Sequence, residues 1–165
     1  LGFSPEKINL SKVISHIIEL KISQAKAKNI SLHFSNTDEI ELSTDENILG
    51  TVLRNLISNA IKFTNPGGQI EVAAITNQGH VEISISDNGV GMDENTVQKI
   101  FDLTTNVTLP GTANEKGSGL GLVLCREFVK KLDGQLWVES EKGKGSTFKF
   151  TLPYNIAAPK LAKIA

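Results

Sequence analysis

The chain has 165 residues, the usual length of one compact domain, and its 39% apolar and 21% charged residues exclude a wholly disordered or fibrous protein. Its formal net charge of −1 excludes global attraction to nucleic acid or to an anionic membrane, so any anion must be bound locally. No apolar run is long enough to span a bilayer and no signal segment opens the chain, which predicts a soluble, cytoplasmic domain. The single cysteine, Cys125, excludes an internal disulfide and lies in an apolar run typical of a core. Because the first residue is Leu1 rather than Met, we expect a piece of a longer protein.

The first part of the chain predicts a helix followed by short strands. Apolar residues at three- and four-residue steps indicate an amphipathic helix that opens near Asn9 or Ser11. Residues 30–34 then alternate between apolar and polar, which predicts a half-buried strand. Residues 40–42 are interpreted as a short companion strand.

The middle of the chain predicts a second helix and a hairpin. Thr44 or Asp45 can cap this helix, whose apolar face ends at the Asn-Pro-Gly-Gly sequence of residues 65–68. Two alternating runs within residues 69–87 flank an Asn-Gln-Gly sequence, which predicts an antiparallel hairpin.

The last part predicts a long loop, a third long helix and two more strands. Residues 100–117 are rich in Thr, Asn, Gly and Pro, and loops of this length are usually functional, so we interpret the segment as a candidate lid. A helix is predicted for residues 120–132 and strands near 136–138 and 148–152. Residues 154–165 have no strong pattern and are interpreted as a tail or linker.

This order of elements predicts an α+β fold. We expect a two-layer α/β sandwich, in which about three helices cover one face of a mixed, mostly antiparallel sheet. A doubly wound parallel sheet fits the order less well. The expected domain covers residues 1–153, with the first helix within residues 1–29.

Three polar residues share one flank of the second helix. At 100° per residue, Asn55, Asn59 and Lys62 fall within an arc of roughly 60° beside the apolar face. Two carboxamides and an ammonium group on one flank suit a hard cation together with phosphate oxygens. The alternative is a solvated helix flank.

A glycine-rich segment follows the predicted hairpin. In the segment 87–92, Asp-Asn-Gly-Val-Gly-Met, glycines allow close approach of the backbone to a ligand. Asp87 could accept a hydrogen bond from an amine such as that of a purine. The alternative is an ordinary turn at the end of a strand.

A second glycine-rich segment, residues 117–122, precedes the third long helix. Its amides lie where a helix N-terminus favours an anion, and phosphate is the natural candidate. It is neither a Walker A loop nor a dinucleotide fingerprint, because the required lysine and third glycine are missing. The chain also lacks His-Arg-Asp and Asp-Phe-Gly triplets, which excludes a eukaryotic-type protein kinase.

Five short segments, taken in their order along the chain, resemble the ATP-binding catalytic domain of two-component sensor histidine kinases. The segments are Asn55-Leu-Ile-Ser-Asn59-Ala-Ile-Lys62-Phe63, Asp87-Asn-Gly89-Val-Gly91-Met92, Ile100-Phe101, Gly117-Ser-Gly119-Leu-Gly121-Leu122 and Gly145-Ser-Thr147-Phe148. The resemblance covers about residues 9–153. It implies a Bergerat-type ATP-binding fold, the cofactors ATP and Mg²⁺, and transfer of a γ-phosphoryl group to a histidine.

For the phosphate end of the nucleotide, the resemblance implies roles for the second helix. Asn59 would be the magnesium ligand, with Asn55 close to the metal and the phosphates. Lys62 would contact phosphate, and Phe63 would line the nucleotide site. Asn55 and Lys62 are therefore the candidate catalytic residues.

For the base end, the resemblance implies that Asp87 receives the adenine amine. Gly89, Gly91 and Met92 would shape the base pocket. Thr147 would join the hydrogen-bond network around the adenine.

The second glycine-rich segment would meet the phosphates under the lid. The candidate nucleotide contacts there are Lys116, Gly117, Ser118, Gly119, Leu120, Gly121 and Leu122. The alternative for Lys116 is a solvated loop lysine.

Two positions bear on how the resemblance is interpreted. The family's phenylalanine box is usually Phe-x-Pro-Phe, whereas here only its first aromatic, Phe101, is kept, which affects lid docking more than nucleotide binding. Hydrolytic relatives usually carry glutamate where Asn55 stands, and an asparagine cannot take a proton from water. The sequence therefore favours phosphoryl transfer to a nucleophile of another domain.

The positions of the three histidines indicate which partners the chain needs. His16, His33 and His80 lie outside any acceptor motif and are interpreted as structural or exposed. We therefore expect a histidine-containing dimerisation domain of the same protein and a downstream response regulator as partners. The piece would be monomeric and the full-length protein a homodimer. The alternatives are a hydrolysing ATPase of the same fold and a module that uses nucleotide only to dock a partner.

Overall fold

The structure is a computed structural model that describes residues 2–35, 39–102, 111–112 and 121–154. Within these residues it contains four helices and seven strands. In chain order the elements are β1 (Glu6–Asn9), α1 (Leu10–Ala27), β2 (Ser31–Phe34), β3 (Glu41–Thr44), α2 (Glu46–Phe63), β4 (Gln69–Asn77), β5 (His80–Asp87), α3 (Glu94–Lys99), α4 (Gly121–Lys131), β6 (Leu136–Glu141) and β7 (Gly145–Pro153).

Five of the strands form the central sheet in the order β2-β4-β5-β7-β6. β2 runs parallel to β4, and the other neighbours are antiparallel. The predicted α+β fold with a mixed, mostly antiparallel sheet is therefore confirmed. β1 and β3 form a separate two-stranded sheet.

Two features of the sequence stabilise helix α2, an N-terminal cap and an apolar face. The Asp45 side chain accepts a hydrogen bond from the Ile48 amide at 3.0 Å, which satisfies a free N–H group at the helix start. The apolar face of α2 packs against α1, α4 and β5. The buried residues of α2 are Ile48, Leu49, Gly50, Val52, Leu53, Leu56, Ile57, Ala60 and Ile61. Each large side chain in such a face stabilises the fold by about 1.5–3 kcal/mol, so the polar flank of α2 is held at a fixed place.

Helices α1 and α4 also confirm predicted elements. α1 opens at Leu10 with Asn9 as its cap. α4 begins at Gly121 and agrees with the helix predicted for residues 120–132. Cys125 on α4 is fully buried, which confirms its interpretation as a core residue.

Two short elements were not predicted. One is β1, which pairs with β3, so the short strand predicted at residues 40–42 is confirmed and its partner is β1 rather than β2. In β1 only Ile8 is buried, which leaves no alternating pattern to detect. α3 is a single short helix capped by Asp93, whose Oδ1 accepts from the Thr96 amide at 2.8 Å.

Much of the predicted lid and almost all of the predicted tail lie outside the described residues. Of residues 100–117 the structure describes 100–102 and 111–112, and of residues 154–165 it describes Tyr154. In the described part of the chain no helix is long and apolar enough to cross a bilayer.

Candidate active site

The second helix brings its predicted site residues together. Asn55, Asn59 and Lys62 are all half-buried on one flank of α2, next to its buried face. The Lys62 ammonium nitrogen lies 5.0 Å from the centre of the Phe63 ring. None of the ion pairs found between described residues involves Lys62. This flank thus presents two carboxamides and a cation without a carboxylate partner from the described residues.

Asn55 also contacts the core side of α4. Burial raises the pKa of the Cys125 thiol to about 12, while a hydrogen bond from the Asn55 side chain acts in the opposite direction. The thiol therefore stays protonated and lies 4.0 Å from the Val52 carbonyl oxygen.

Asp87, at the end of β5, is an oriented hydrogen-bond acceptor. Its Oδ1 accepts from the amides of Gly89 at 2.9 Å and Ser146 at 3.2 Å. No hydrogen bond from the described residues reaches Oδ2. Burial raises the pKa of Asp87 to about 6, and the hydrogen bonds from Gly89 and Ser146 oppose that rise. The carboxylate thus offers one oxygen to a ligand.

The loop after Asp87 lies against the C-terminal end of α2. The Val90 amide donates to the Phe63 carbonyl oxygen at 3.0 Å. A Cβ atom at Gly89 would stand 2.1 Å from that same oxygen, so only glycine allows this approach. The contact places Asp87 beside the helix that carries the polar flank.

Two further glycines hold the loop against the turn between β6 and β7. Gly91 has φ +66°, and a Cβ atom there would lie 2.0 Å from the Glu141 carbonyl oxygen. Gly145 has φ +127°, and its Cβ atom would lie 2.0 Å from the Asp87 carbonyl oxygen. Met92 is half-buried and packs against the hydrophobic core.

The structure does not bring Thr147 to Asp87. Successive residues of a strand point to opposite faces of a sheet, and in β7 the buried face carries Ser146 and Phe148. Thr147 lies on the other face, where its hydroxyl is 2.8 Å from that of Ser86. The structure therefore brings Ser146, and not Thr147, to Asp87, which the alternation with Phe148 could have indicated.

The second glycine-rich segment is described only at its end. Lys116, Gly117, Ser118, Gly119 and Leu120 lie outside the described residues. Gly121 is the first residue of α4, and Leu122 is half-buried against the core.

Thr112 connects the predicted lid segment with α2. Its amide donates to the Lys62 carbonyl oxygen at 3.0 Å, and its hydroxyl donates to the Thr64 carbonyl oxygen at 3.0 Å. The Lys28 ammonium group donates to the carbonyl oxygens of Ile61 at 2.9 Å and Lys62 at 3.0 Å. The carbonyl end of α2 is therefore bound by an ammonium group and by a residue of the predicted lid. No sequence motif indicated either contact.

Phe101 is anchored although the second aromatic of its motif is missing. Its ring meets that of Phe148 edge-to-face, with centroids 6.5 Å apart and planes at 84°. The Arg126 guanidinium carbon lies 5.7 Å from the centre of the Phe101 ring. The chain after α3 is thus held between β7 and α4.

The polar flank of α2 offers amide oxygens to a cation rather than a carboxylate cluster. Among the described residues no group of three or more His, Cys, Asp or Glu side chains could hold a metal ion. The carboxamide oxygens of Asn55 and Asn59 fit a hard cation that takes its remaining ligands from phosphate and water.

Comparisons with known proteins agree with this arrangement. Residues 44–156 match the family described as histidine kinase-, DNA gyrase B- and HSP90-like ATPase. The adaptive-response sensory kinase SasA of Prochlorococcus marinus is 39% identical over 158 residues, which cover 92% of this chain and 40% of that protein.

Two solved structures have the same fold. The catalytic domain of histidine kinase ThkA matches with a TM-score of 0.76 and 26% identity, covering 93% of this chain and 98% of the other. Full-length ShkA in complex with AMPPNP matches with a TM-score of 0.78 and 26% identity, covering 93% of this chain and 32% of the other. The chain thus spans about two fifths of the sensory kinase and nearly all of an isolated catalytic domain.

Proposed function

This chain belongs to the family of histidine kinase-, DNA gyrase B- and HSP90-like ATPases, and from that premise we propose that it binds Mg-ATP and transfers the γ-phosphoryl group to a histidine of another domain. The domain would cover residues 1–153 and act within two-component signal transduction. Its partners would be a dimerisation domain of the same protein and a response regulator. We further propose a cytoplasmic location, a monomeric piece and a homodimeric full-length protein.

One contact carries the proposal. The hydrogen bond from the Val90 amide to the Phe63 carbonyl oxygen sets the amine acceptor, Asp87, next to the helix flank with Asn59 and Lys62. A nucleotide has an amine at one end and anionic oxygens at the other. A site with an acceptor at one end and a cation at the other matches both ends of that molecule.

The base end would recognise adenine through Asp87. Its ionised carboxyl group would accept the exocyclic amine on Oδ2, and the hydrogen bonds from Gly89 and Ser146 keep Oδ1 in place. The Ser146 hydroxyl would join the hydrogen bonds around the base, in the role expected of Thr147. Gly89 and Gly91 leave room for the backbone where side chains would collide.

At the phosphate end, Asn59 and Asn55 would supply oxygen ligands and Lys62 would contact the phosphates. Magnesium, when bound, would neutralise charge on the phosphate oxygens. Lys116 and the glycines from Gly117 to Gly121 would contact the same phosphates.

Transfer rather than hydrolysis is favoured by the chemistry at Asn55. A carboxamide cannot take a proton from water, so position 55 supplies no general base. Positioning and charge neutralisation suffice for transfer to an aligned nucleophile. His16 on α1 and His33 on β2 are both exposed.

The test incubates the purified chain with labelled ATP, alone and with the histidine-bearing dimerisation domain of its parent protein. We expect acid-labile phosphate on the added domain and none on the chain itself. Steady release of phosphate would instead identify a hydrolysing ATPase. Binding without either product would identify a nucleotide-dependent docking module. Label on the chain itself would show that one of its own histidines is an acceptor.

A further inference from the structure

Ser140 on β6 stands at the centre of a hydrogen-bond cluster behind the base loop, the segment from Asp87 to Met92. Its hydroxyl oxygen accepts from the Met92 amide at 2.8 Å. It also lies 3.0 Å from the Gly145 carbonyl oxygen and 2.7 Å from the Ser146 hydroxyl. Ser140 thus contacts the base loop, the β6–β7 turn and β7.

Only one assignment of donors and acceptors in this cluster satisfies every contact. A hydroxyl group has one proton to donate and two lone pairs to accept with. The Gly145 carbonyl can only accept, so Ser140 donates to it. Ser140 then accepts from the Met92 amide and from the Ser146 hydroxyl. All three hydrogen-bonding capacities of Ser140 are used inside the protein.

The cluster continues to the acceptor of the base end. The Ser146 amide donates to Asp87 Oδ1, so Met92, Ser140, Ser146 and Asp87 form one connected chain of hydrogen bonds. A second contact supports the same loop, because the Gly143 amide donates to the Val90 carbonyl oxygen at 2.7 Å. Both ends of the cluster are therefore attached to the base loop.

We propose that Ser140 is a positioning residue that holds the base loop in register with the β6–β7 turn and thereby sets affinity for adenine nucleotides. The inference rests on the proposed function, since it requires that the loop binds the base. Ser140 touches no part of the nucleotide in this account. It acts through Met92 and Ser146.

The structure offers a matched control on the opposite face of the sheet. Ser86 and Thr147 form a hydroxyl pair at 2.8 Å between β5 and β7, on the face of the sheet opposite to Asp87 and Ser146. Ser86→Ala removes one hydroxyl from β5, which β7 separates from β6, and one similar hydrogen bond. Ser140→Ala removes a hydroxyl that forms hydrogen bonds with three groups of the cluster.

The experiment measures ATP and ADP affinity by calorimetry for the wild type, Ser140→Ala, Ser140→Thr and Ser86→Ala. We expect Ser140→Ala to weaken both nucleotides by the same factor, about tenfold, because its contacts lie at the base end. Ser140→Thr keeps the hydroxyl and should stay within about threefold of the wild type, as should Ser86→Ala. Amide hydrogen exchange should show lost protection of the Met92 amide in Ser140→Ala alone.

Unchanged affinity and unchanged Met92 protection in a folded Ser140→Ala protein would overturn the inference while leaving the proposed function intact. A loss confined to ATP would also overturn it, since that would place the effect at the phosphate end. If Ser140→Ala fails to fold, Ser140→Thr decides, because a loss of about tenfold or more in a folded variant that keeps the hydroxyl would contradict a role for the hydroxyl. A wild type that binds neither nucleotide would overturn the proposed function itself.

Discussion

The two ends of the candidate site are built differently. At the base end, the loop after Asp87 is held by hydrogen bonds to the end of α2, to β4 and to the β6–β7 turn, and three glycines permit the close approaches. At the phosphate end, the site consists of side chains on the flank of one helix, and part of the expected contacts lies outside the described residues. Among the described residues, backbone contacts therefore fix the base end, and side chains of one helix make up the phosphate end.

This difference predicts how changes at each end act. A substitution that adds a side chain where backbone segments meet at the base end should lower both the free energy of unfolding and nucleotide affinity. The same contacts support the fold and the base loop. A change of side chain at the phosphate end should lower Mg-dependent affinity and leave stability almost unchanged.

The largest effect is expected from Gly145→Ala. The added Cβ atom would lie 2.0 Å from the Asp87 carbonyl oxygen at a φ of +127°. We expect the free energy of unfolding to fall by roughly 3 kcal/mol and ATP binding to be lost, because the base loop must move. Urea unfolding and calorimetry measure both.

Gly143→Ala is the matched control for Gly145. Gly143 also has a positive φ, +83°, but its Cβ atom would meet nothing within 4 Å. Its cost should be about 1 kcal/mol from the backbone conformation alone, with ATP affinity retained. Equal effects of the two substitutions would contradict the claim that close contact with Asp87 matters.

Asn59→Ala tests the phosphate end. We expect ATP affinity in the presence of Mg²⁺ to fall by at least about tenfold, because an oxygen ligand is removed. Affinity without Mg²⁺ should be partly kept, and the unfolding midpoint should change little. Asn47→Ala, at the exposed start of the same helix, is the control and should have neither effect. Equal losses with and without Mg²⁺ would mean that Asn59 only supports the helix.

The raised pKa of Asp87 predicts a pH dependence. With a pKa of about 6, roughly one tenth of the carboxyl groups are ionised at about pH 5, so ATP affinity should be about tenfold lower there than at about pH 8. Stability of the nucleotide-free protein should change in the opposite direction. The folded state holds this proton more tightly than the unfolded chain with its ordinary pKa of 3.8, so this contribution to stability is present below that value and is lost as pH rises through 6.

Asp87→Asn is the control for both pH effects. It removes the titrating group, while the phosphates of ATP continue to titrate in the same range. The part of the pH dependence that belongs to Asp87 should therefore disappear in this variant. If the variant and the wild type show the same profiles, the assignment of the titration to Asp87 fails.

The smallest effect is expected from Thr112→Ala. The substitution removes the hydroxyl, which donates to the Thr64 carbonyl oxygen at 3.0 Å and lies 3.3 Å from that of Lys62, and keeps the amide hydrogen bond to Lys62. ATP affinity should fall by about two- to fivefold, the loss expected for one neutral hydrogen bond. Thr112→Ser should restore it. A loss that serine does not restore would mean that the methyl group, not the hydroxyl, matters.

Long patterned elements were predicted well because local signals and packing agree there. The cap at Asp45 and the extent of the apolar face predicted where α2 begins and ends. The two-strand run of residues 69–87 with its Gly79 turn was equally clear. In β1, only Ile8 is buried and the partner lies more than thirty residues away, so no local pattern existed.

Within the site, the sequence predicted which residues belong to it better than the side of the sheet to which each side chain points. The motif placed Asp87 at the end of its strand correctly. It did not show which of Ser146 and Thr147 points toward Asp87, although the alternation with buried Phe148 contains that information. Contacts such as those of Ser140 and Thr112 join segments that are distant along the chain. They depend on the folded backbone and leave no motif.

Calorimetry of ATP binding to the wild type and to Asp87→Asn, at about pH 7.5 with Mg²⁺ present, tests the central claim that this domain recognises adenine through one oriented carboxylate. Removal of a charge-assisted hydrogen bond should weaken ATP binding by about 1.5–3 kcal/mol. The unfolding midpoint should show that the variant remains folded. Unchanged ATP affinity in a folded Asp87→Asn protein would contradict the account.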